Sequence, residues 1–382
     1  MPEICLSTKT WRSGAAWFNQ ALAQAIAGAG GTIAYIAPLS LPEDREPRHP
    51  NLTRIVISRE RVGEGGRMTR GLASLRRIVT GTLATLAQRR HTRTFLFSIP
   101  EPLLFSLPLF ALLRLSGASV VLIVHDAEPH LWRLPAPLRA LERAALAASY
   151  RLATDLVCLT ATTRDALIAR FAAPKAKLRV IPHGAFATRA ATPIPGSGRL
   201  LAFGSIRPNK SLLEVIGAVV RCRQAGRDVT LTIAGEPLDG PYWQRCLALI
   251  AEDTSGFDLR PGFVPDDALP ELIARSDALV LAYRDFASQS GVAVLAALAA
   301  RPVIATAAGG IGELMAEGLA CQPIPADPDA RAIASAISAF YDQPPEAWRD
   351  AASSARDHFA TALAWGPIGE RYLSFARESS DA

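Results

Sequence analysis

Residues 200–210 read LLAFGSIRPNK, and a helical pattern begins directly after them at Leu212. The apolar run predicts a buried strand, and the glycine allows the backbone to turn at its end. The start of the next helix offers free N–H groups and partial positive charge to an anion. Arg207 adds a planar fork of donors and Lys210 a compact charge, so the stretch predicts a strand, a turn and a helix suited to a diphosphate. Two solvated basic residues at a turn would have the same spacing.

Strand and helix patterns alternate on both sides of this stretch, which predicts parallel sheets covered by helices on both faces. Residues 186–198 are rich in Ala, Thr, Pro and Gly, have no apolar period and are predicted to be a linker. The sequence therefore predicts two doubly wound α/β domains, residues 1–185 and 199–360, facing a cleft at their strand ends. Residues 361–382 are predicted to form a last helix that could cross back to the first domain. The strands predicted in the first domain are Ile4–Leu6, Thr32–Ala37, Arg54–Ile57, Thr94–Phe97, Ser119–Val124, Asp155–Leu159 and Leu178–Ile181.

The composition excludes several classes of protein. Of the 382 residues, 49% are hydrophobic and 20% are charged, which excludes a disordered chain. Five scattered cysteines indicate buried thiols in a reducing compartment, not a disulfide framework. The first residues, MPEICLSTKTW, lack the pattern of a secretion signal. The apolar stretch from Leu103 to Val124 is interrupted by Pro108 and Arg114, so it predicts a helix followed by a buried strand, in a cytoplasmic protein.

The net charge of +6 is concentrated in one segment. Ten arginines lie between residues 54 and 93, opposed only by Glu60 and Glu64. Such a local field favours an anionic partner, and we expect an anionic membrane surface. A solvated helix face is the alternative, whereas nucleic acid is not expected because the segment has almost no aromatic residues. The ten arginines are Arg54, Arg59, Arg61, Arg67, Arg70, Arg76, Arg77, Arg89, Arg90 and Arg93.

Two further stretches of the second domain have the composition of ligand-binding turns. Residues 287–296 read ASQSGVAVLA, in which polar residues open a small-residue helix directly after a strand. Residues 307–313 read AAGGIGE, a glycine turn that ends in a carboxylate, Glu313. Backbone N–H groups at the start of the first of these stretches could hold a phosphate. Helix packing and capping are the alternative interpretations.

The first domain carries three polar stretches at predicted strand ends. Residues 125–130 read HDAEPH, residues 180–184 read VIPHG, and residues 9–14 read KTWRSG. A carboxylate in the first stretch could take a proton from an attacking hydroxyl, and a neutral histidine could bind a sugar. Asp126 could instead cap a helix, and the two histidines with two acids also permit a metal site, although nothing else supplies ligands.

These elements, in this order, resemble the GT-B glycosyltransferases, particularly the bacterial family 4-like enzymes. The likeness is carried by FGSIRPNK, IAGEP, LAYRDFASQSGV, RPVIATAAGG and VIPHG, and it extends over most of the chain. It implies two Rossmann-like domains around a cleft, with a nucleotide-sugar held mainly by the second domain. The pattern HDAEPH, FGSIRPNK and SQSGV followed by ARPV looks closer to the β-mannosyltransferases of xanthan assembly. Those enzymes are inverting and act on a polyprenyl-diphosphate-linked oligosaccharide at the cytoplasmic face of the membrane.

The resemblance also implies roles for individual residues. His125 would contact the transferred sugar, and Asp126 or Glu128 would be the general base, with Glu128 preferred. No cofactor and no metal is expected. The acceptor would be bound by Trp11, Arg12, Ser13, Gly14 and His130. The donor would be bound by Arg207, Lys210, Gly204, His183, Gly235, Glu236, Tyr283, Ser288, Gln289, Ser290, Gly291 and Val292.

One departure from the family pattern concerns the stereochemistry. Family 4 enzymes usually carry two glutamates separated by seven residues, and this chain has Ser288 and Ala296 at those positions. The second glutamate generally holds the ribose, so Glu214 or a backbone group would have to replace it. The first is tied to the retaining mechanism, so we expect inversion.

The sequence therefore predicts a transferase that moves a sugar from a GDP- or UDP-linked donor to a lipid-linked oligosaccharide in bacterial surface polysaccharide assembly. It would work in the cytoplasm at the inner face of the plasma membrane. A nucleotide-sugar epimerase on the same scaffold is the alternative enzyme, and a subunit without catalytic activity is the other alternative.

Overall fold

The computed structural model describes residues 1–11, 14–43, 46–60, 66–99, 103–129, 134–185, 191–265, 267–284 and 286–381. Two compact units make up the chain. The first combines Met1–Gly184 with Leu363–Ala382, and the second is Ala185–Ala362.

The first unit is built from alternating strands and helices. Its strands are β1 Ile4–Ser7, β2 Ile33–Pro38, β3 Leu52–Ile57, β4 Thr94–Ile99, β5 Ser119–Val124, β6 Asp155–Cys158 and β7 Leu178–Val180. Its helices up to residue 184 are α1 Gly14–Gly28, α2 Arg67–Gln88, α3 Leu103–Leu115, α4 Arg139–Leu152 and α5 Ala161–Phe171. Short 3₁₀ turns lie at Ala136–Leu138 and Lys175–Lys177.

The sheet of the first unit is parallel, with the order β3-β2-β1-β4-β5-β6-β7. Every residue of β1, β2 and β5 is buried, as expected for strands covered on both faces. One apolar core lies between the sheet and α3, α4 and α5, with α2 at its margin. A second core lies on the opposite face and includes residues of α1.

The second unit repeats this architecture with six strands. They are β8 Arg199–Phe203, β9 Thr230–Gly235, β10 Phe257–Pro261, β11 Ala278–Leu281, β12 Val303–Thr306 and β13 Cys321–Ile324. The helices are α6 Leu212–Gln224, α7 Gly240–Ile250, α8 Leu269–Ala274, α9 Gly291–Leu298, α10 Gly309–Ala316, α11 Ala330–Asp342 and α12 Pro345–Ala362, with 3₁₀ turns at Pro208–Lys210 and Thr254–Gly256. The parallel sheet has the order β10-β9-β8-β11-β12-β13, which is the strand order of a Rossmann fold. The prediction of two doubly wound α/β domains is confirmed.

The last helix, α13 Trp365–Asp381, belongs to the first unit. Its side chains Ile368, Tyr372 and Leu373 are buried in the same core as Phe18 and Leu22 of α1. Gly369 lies so close to α1 that a Cβ there would overlap the Ala25 carbonyl. One face of the first sheet is therefore covered in part by α13, a helix that follows the whole second unit in the sequence.

The segment predicted as a linker is partly packed on the second unit. The guanidinium of Arg301 is buried and donates hydrogen bonds to Thr192 O at 2.6 Å and to Pro193 O at 2.9 Å. The amide of Ser197 donates to Asp277 Oδ1 at 3.0 Å. These bonds order residues 192–197 against the second unit, and residues 186–190 lie outside the described ranges.

Candidate functional site

Two glycines lie where neighbouring strands of the second sheet end. Gly204 follows β8 with φ +104°, and Gly235 ends β9 with φ +148°, both conformations that favour glycine. The amide of Gly204 donates to Ala234 O at 3.0 Å, and a Cβ on Gly235 would overlap the Gly204 carbonyl. The two strand ends therefore approach through backbone alone, which leaves space at the edge of the sheet where ligands of such folds bind.

Lys210 occupies the 3₁₀ turn beyond β8, directly above Gly204. Its Nζ lies 5.0 Å from the centroid of the Tyr283 ring, and a Cβ added to Gly204 would be 2.8 Å from Nζ. Burial lowers the pKa of Lys210 to about 8, and the charge of Arg207 acts in the same direction. A bound anion would stabilise the charged form of this lysine, which burial destabilises.

Arg207 lies beside Lys210 and is the N-cap of that turn. Its Nε is buried and, among the described residues, has no hydrogen-bond partner. A buried guanidinium nitrogen without an acceptor is costly unless a ligand supplies one. Arg207 and Lys210, predicted from their spacing to bind a diphosphate, therefore lie side by side at the strand end.

The start of α9 lies next to this pair. Ser290 caps the helix by accepting the Ala293 amide at 3.2 Å, and it also contacts Tyr283, whose pKa burial raises. The Cγ2 of Val292 would be 3.8 Å from a Cβ on Gly204. The structure thus brings the predicted residues Gly204, Lys210, Tyr283, Ser290 and Val292 together.

Ser288 and the residues around it are positioned by the start of α10. Gly309 has φ +55°, and a side chain on it would overlap the carbonyl of Phe286. The amide of Gly310 donates to Ser288 O at 3.2 Å. Ser288 itself is buried, and its Oγ has no partner within the described ranges. The glycine turn therefore supports the loop that leads to α9, while Gln289 and Gly291 are partly exposed in it.

Two glutamates of this unit face different surroundings. Glu214, suggested above for the ribose, pairs its Oε1 with Arg284 Nη1 at 2.9 Å. Arg284 also pairs with Asp327 at 2.9 Å, so Glu214 belongs to a network and is less suited to a ligand. Glu236 is exposed, and its carbonyl accepts the Ile206 amide at 2.8 Å.

An aromatic cluster surrounds two histidines at the strand ends of the first unit. The ring centroid of Phe18 is 5.0 Å from those of His125 and His183 and 5.6 Å from that of Trp365. His183, predicted to bind the donor, lies 5.8 Å from Trp365, and its Nδ1 is 2.6 Å from Gly184 O. A Cβ on Gly184 would overlap the Trp365 indole, so glycine is needed there.

The two histidines are neutral at pH 7. Burial lowers the pKa of each to about 4, and His183 contributes to the shift at His125. The Nε2 of His125 is buried and has no hydrogen-bond partner among the residues described here. A neutral imidazole with an unused nitrogen is suited to a hydroxyl of a ligand.

The two candidate bases of the first unit differ in their contacts. Glu128 pairs with Arg143 of α4 at 3.2 Å and with Arg170 of α5 at 3.1 Å, one arginine for each carboxylate oxygen. Asp126 follows β5 beside His125, and its charge opposes the lowering of the His125 pKa by burial. The described residues that follow Asp126, 127–129, are not helical, so Asp126 is not an N-cap.

The predicted acceptor residues are only partly described. Trp11 is half-buried, and its amide donates to Glu60 Oε2 at 3.0 Å. Gly14 is the first residue of α1. The remaining three, Arg12, Ser13 and His130, lie outside the described residues. Among the residues that are described, no three His, Cys, Asp or Glu side chains are close enough to hold a metal ion.

Comparison with known proteins assigns a family to each half of the chain. Residues 12–188 match the family described as Glycosyltransferase Family 4, and residues 197–343 match the one described as Glycosyl transferases group 1. Together the two matches span most of the chain. The two halves are glycosyltransferase domains of the GT-B, family 4-like type. The resemblance seen in the sequence is therefore confirmed at this level.

Two curated relatives support the assignment of these glycosyltransferase domains. Glycogen synthase of Mycobacterium tuberculosis is 29% identical over 231 residues, which cover 57% of this chain and 52% of the relative. The 2-deoxystreptamine glucosyltransferase of Streptomyces kanamyceticus is 30% identical over 223 residues, 52% of this chain and 55% of the relative. The chain thus spans about half the length of the curated relatives it matches.

Solved structures of other proteins share the fold of both glycosyltransferase domains. HepE of Anabaena, solved in complex with UDP and glucose, superposes with a TM-score of 0.73 at 16% identity, covering 99% of this chain and 100% of that one. Sucrose-phosphate synthase of Thermosynechococcus elongatus has a TM-score of 0.74 at 16% identity, covering 99% of this chain and 98% of that one. At these identities the likeness concerns the fold.

Proposed function

We propose that the protein transfers a hexosyl group, with inversion, from a UDP- or GDP-linked sugar to a hydroxyl of a polyprenyl-diphosphate-linked oligosaccharide in bacterial surface polysaccharide assembly. The observation that carries the proposal is the neighbouring pair at the end of β8, in which burial lowers the pKa of Lys210 and the Nε of Arg207 is buried without an acceptor among the described residues. Two cations without a carboxylate partner in the described part of the chain suit a diphosphate. The UDP complex of the structurally similar HepE supports the donor class.

The proposed reaction needs charge stabilisation at the leaving group. The acceptor oxygen bonds to the anomeric carbon, the bond from that carbon to the diphosphate oxygen breaks, and its electron pair leaves with the nucleoside diphosphate. Arg207, Lys210 and the N–H groups at the start of α9 would neutralise the charge that develops there. Preorganised cations can do this without a metal ion, which is why we propose a metal-independent reaction.

The acceptor hydroxyl must also lose its proton. We propose Asp126 as the general base, because it follows β5 at a strand end, directly beside the neutral His125. His125, neutral and with an unused Nε2, would bind a hydroxyl of the transferred sugar. A single base suits an inverting reaction, and neither Ser288 nor Ala296 offers the carboxylates of the retaining family members.

A donor panel tests the proposal. Purified protein is incubated with UDP- and GDP-sugars and a lipid-linked acceptor extract, and nucleoside diphosphate release is measured, followed by anomeric analysis of the product. We expect release that depends on the acceptor. An epimerase would instead convert the donor alone, and a subunit without activity would bind nucleotide without turnover. Either result would refute the proposed transfer.

We also propose that the protein works at the inner face of the plasma membrane and binds it through the surface of α2 and α3. Large apolar side chains are exposed on the outer surface of α2, on α3 and at the start of α4, whereas the described residues of α1 and α13, on the other face of the sheet, expose none. No helix within the described ranges is long and apolar enough to cross a bilayer. The exposed side chains are Met68, Leu72, Leu75, Val79, Leu83, Phe105, Leu112, Leu115, Leu138 and Leu141.

The order of residues along α2 fits an anionic lipid surface. Its exposed apolar residues are spaced by three or four positions and form one stripe, and the exposed Arg76, four positions after Leu72 and three before Val79, lies beside it. A helix with an apolar face and flanking arginines lies in the plane of the membrane interface. Each arginine near an anionic surface adds about 1 kcal/mol to binding.

Liposome flotation tests the membrane proposal. We expect binding to vesicles of phosphatidylglycerol but not of phosphatidylcholine, and loss of binding in the variant Leu72→Ser/Val79→Ser. Phe263→Ser removes an equally exposed apolar side chain from the second unit and is the matched control. Wild-type protein that ignores anionic lipid, or a control that loses binding equally, would refute the proposal.

A further inference from the structure

The side chain of Glu60 connects the ends of neighbouring strands in the first unit. Glu60 follows β3, and its carboxylate accepts the Thr10 hydroxyl at 2.9 and 3.1 Å and the Trp11 amide at 3.0 Å. Thr10 and Trp11 follow β1, and β2 lies between β1 and β3 in the sheet. The side chain therefore reaches past the end of β2, where the Glu60 amide also donates to Ser40 Oγ at 2.9 Å.

The same segment is attached to α2. Arg77 Nη2 of α2 is 4.0 Å from Glu60 Oε1, and both side chains are largely buried, at 14% and 11% exposed. Two residues earlier, the Ser58 amide donates to Thr80 Oγ1 of α2 at 3.3 Å. Separating two largely buried opposite charges costs free energy, because each is left without its partner. Glu60 thus joins the turn after β1 to the helix proposed to lie on lipid.

We infer that Glu60 is a positioning residue for the acceptor: it fixes the Thr10–Trp11 turn in the conformation that receives the glycan. The inference rests on the proposed function. Ends of central parallel strands are where ligands of this fold class bind, and the Thr10–Trp11 turn lies at such an end, after β1. From the sequence, Glu60 could be recognised only as a negative charge among arginines. Its contact with residues 10 and 11 depends on the order of the strands in the sheet, which no local pattern reveals.

The substitution Glu60→Gln keeps the size of the side chain but removes its charge and one acceptor oxygen. Hydrogen bonds to an ionised carboxylate are about twice as strong as neutral ones. The turn should therefore be held less firmly, so we expect the KM for the lipid-linked acceptor to rise about tenfold. The KM for the donor and kcat at saturating acceptor should stay within about twofold of wild type.

The kinetic test varies acceptor and donor separately, and also measures hydrolysis of the donor by water without acceptor. Glu46→Gln is the matched control, since Glu46 also pairs with an arginine, Arg54, at 2.6 Å and is similarly buried, at 20% exposed. A change in acceptor KM alone, absent from the control, supports the inference. An unchanged acceptor KM, or equal changes in both KM values, overturns it.

Hydrogen exchange provides a readout that does not depend on activity. The Trp11 amide should exchange faster in Glu60→Gln than in wild type, while amides of β1 remain unchanged. Thr10→Val, which removes the hydroxyl donor, should add little to the effect of Glu60→Gln. Unchanged exchange at Trp11 would refute the positioning role, whereas absence of transfer by the wild-type protein would refute the proposed function and leave the exchange result to decide on Glu60.

Discussion

The ammonium of Lys210 lies 5.0 Å from the centre of the Tyr283 ring. A cation placed on a ring face is stabilised without being neutralised, so it remains available to an anion. The next residue, Arg284, donates its amide to Asn209 O at 2.8 Å, which attaches the ring's loop to the basic turn. The relative position of Lys210 and the Tyr283 ring is therefore fixed by this backbone hydrogen bond as well as by their own contact.

Substituting Lys210 or Arg207 by alanine should lower turnover by roughly 10²–10³-fold with the fold intact. Removing one preorganised group that stabilises developing charge costs about 2.7–4 kcal/mol of transition-state stabilisation. Steady-state kinetics measures the loss. The exposed Arg221, on the next helix, supplies the control Arg221→Ala. Near wild-type turnover in both site variants would contradict the proposal that Arg207 and Lys210 bind the donor diphosphate.

Donor affinity should fall as the pH rises through about 8. Burial and Arg207 lower the pKa of Lys210 to about 8, so above that pH the free protein loses the charge that the diphosphate needs. Calorimetric titration with a nucleoside diphosphate between pH 6.5 and 9.5 measures the dependence. Lys210→Arg should flatten it, and Arg207→Gln should move it to higher pH. A profile in the wild type that is already flat contradicts the role of Lys210.

Asp126→Asn should lower kcat by about 10²–10⁴-fold, the usual contribution of a general base. Glu128→Gln should act mainly on stability, since it breaks the pairs with Arg143 and Arg170. Comparing kcat with the midpoint of thermal unfolding separates the two. Should Glu128→Gln abolish turnover while Asp126→Asn retains it, the base would be Glu128.

Acidification should begin to destabilise the first unit at a pH higher than that at which carboxylates become protonated. His125 and His183 have folded-state pKa values of about 4, whereas the unfolded chain takes up these protons near pH 6.5. Their contribution to the free energy of unfolding is present above pH 6.5 and is lost as the pH falls towards 4. Urea unfolding between pH 7.5 and 5 measures the slope. His183→Asn should reduce the slope by about one proton, and the half-exposed His358 of the second unit supplies the control His358→Asn; equal slopes in wild type and His183→Asn contradict the prediction.

Much of the fold could be predicted because its buried strands are continuous apolar runs. The stretch from Leu103 to Val124 is indeed a helix followed by a buried strand. The strand β13 was not predicted, because it lies at the sheet edge and two of its four residues are Gln322 and Pro323. The AAGGIGE stretch was predicted as a turn but begins α10, since tight packing against residues 286–289 fixes its glycines.

The candidate site could be predicted only where its residues are close in sequence. The basic turn with Arg207 and Lys210 is one local motif, so spacing alone indicated it. Phe18 and Trp365 were missed, because they reach the histidines from helices at opposite ends of the chain. The pairing of Glu128 likewise depends on arginines of two later helices, which no local pattern reveals.

The return of α13 to the first unit has a consequence for biosynthesis. A ribosome makes Trp365–Asp381 only after the whole second unit, so the face of the first sheet that Tyr372 and Leu373 cover stays open until that helix has been synthesised. The second unit, continuous from Ala185 to Ala362, can close earlier. Limited proteolysis of stalled nascent chains should find the second unit protected before the first unit. A nonsense mutation before Trp365 should leave the first unit incomplete and sensitive to cellular proteases.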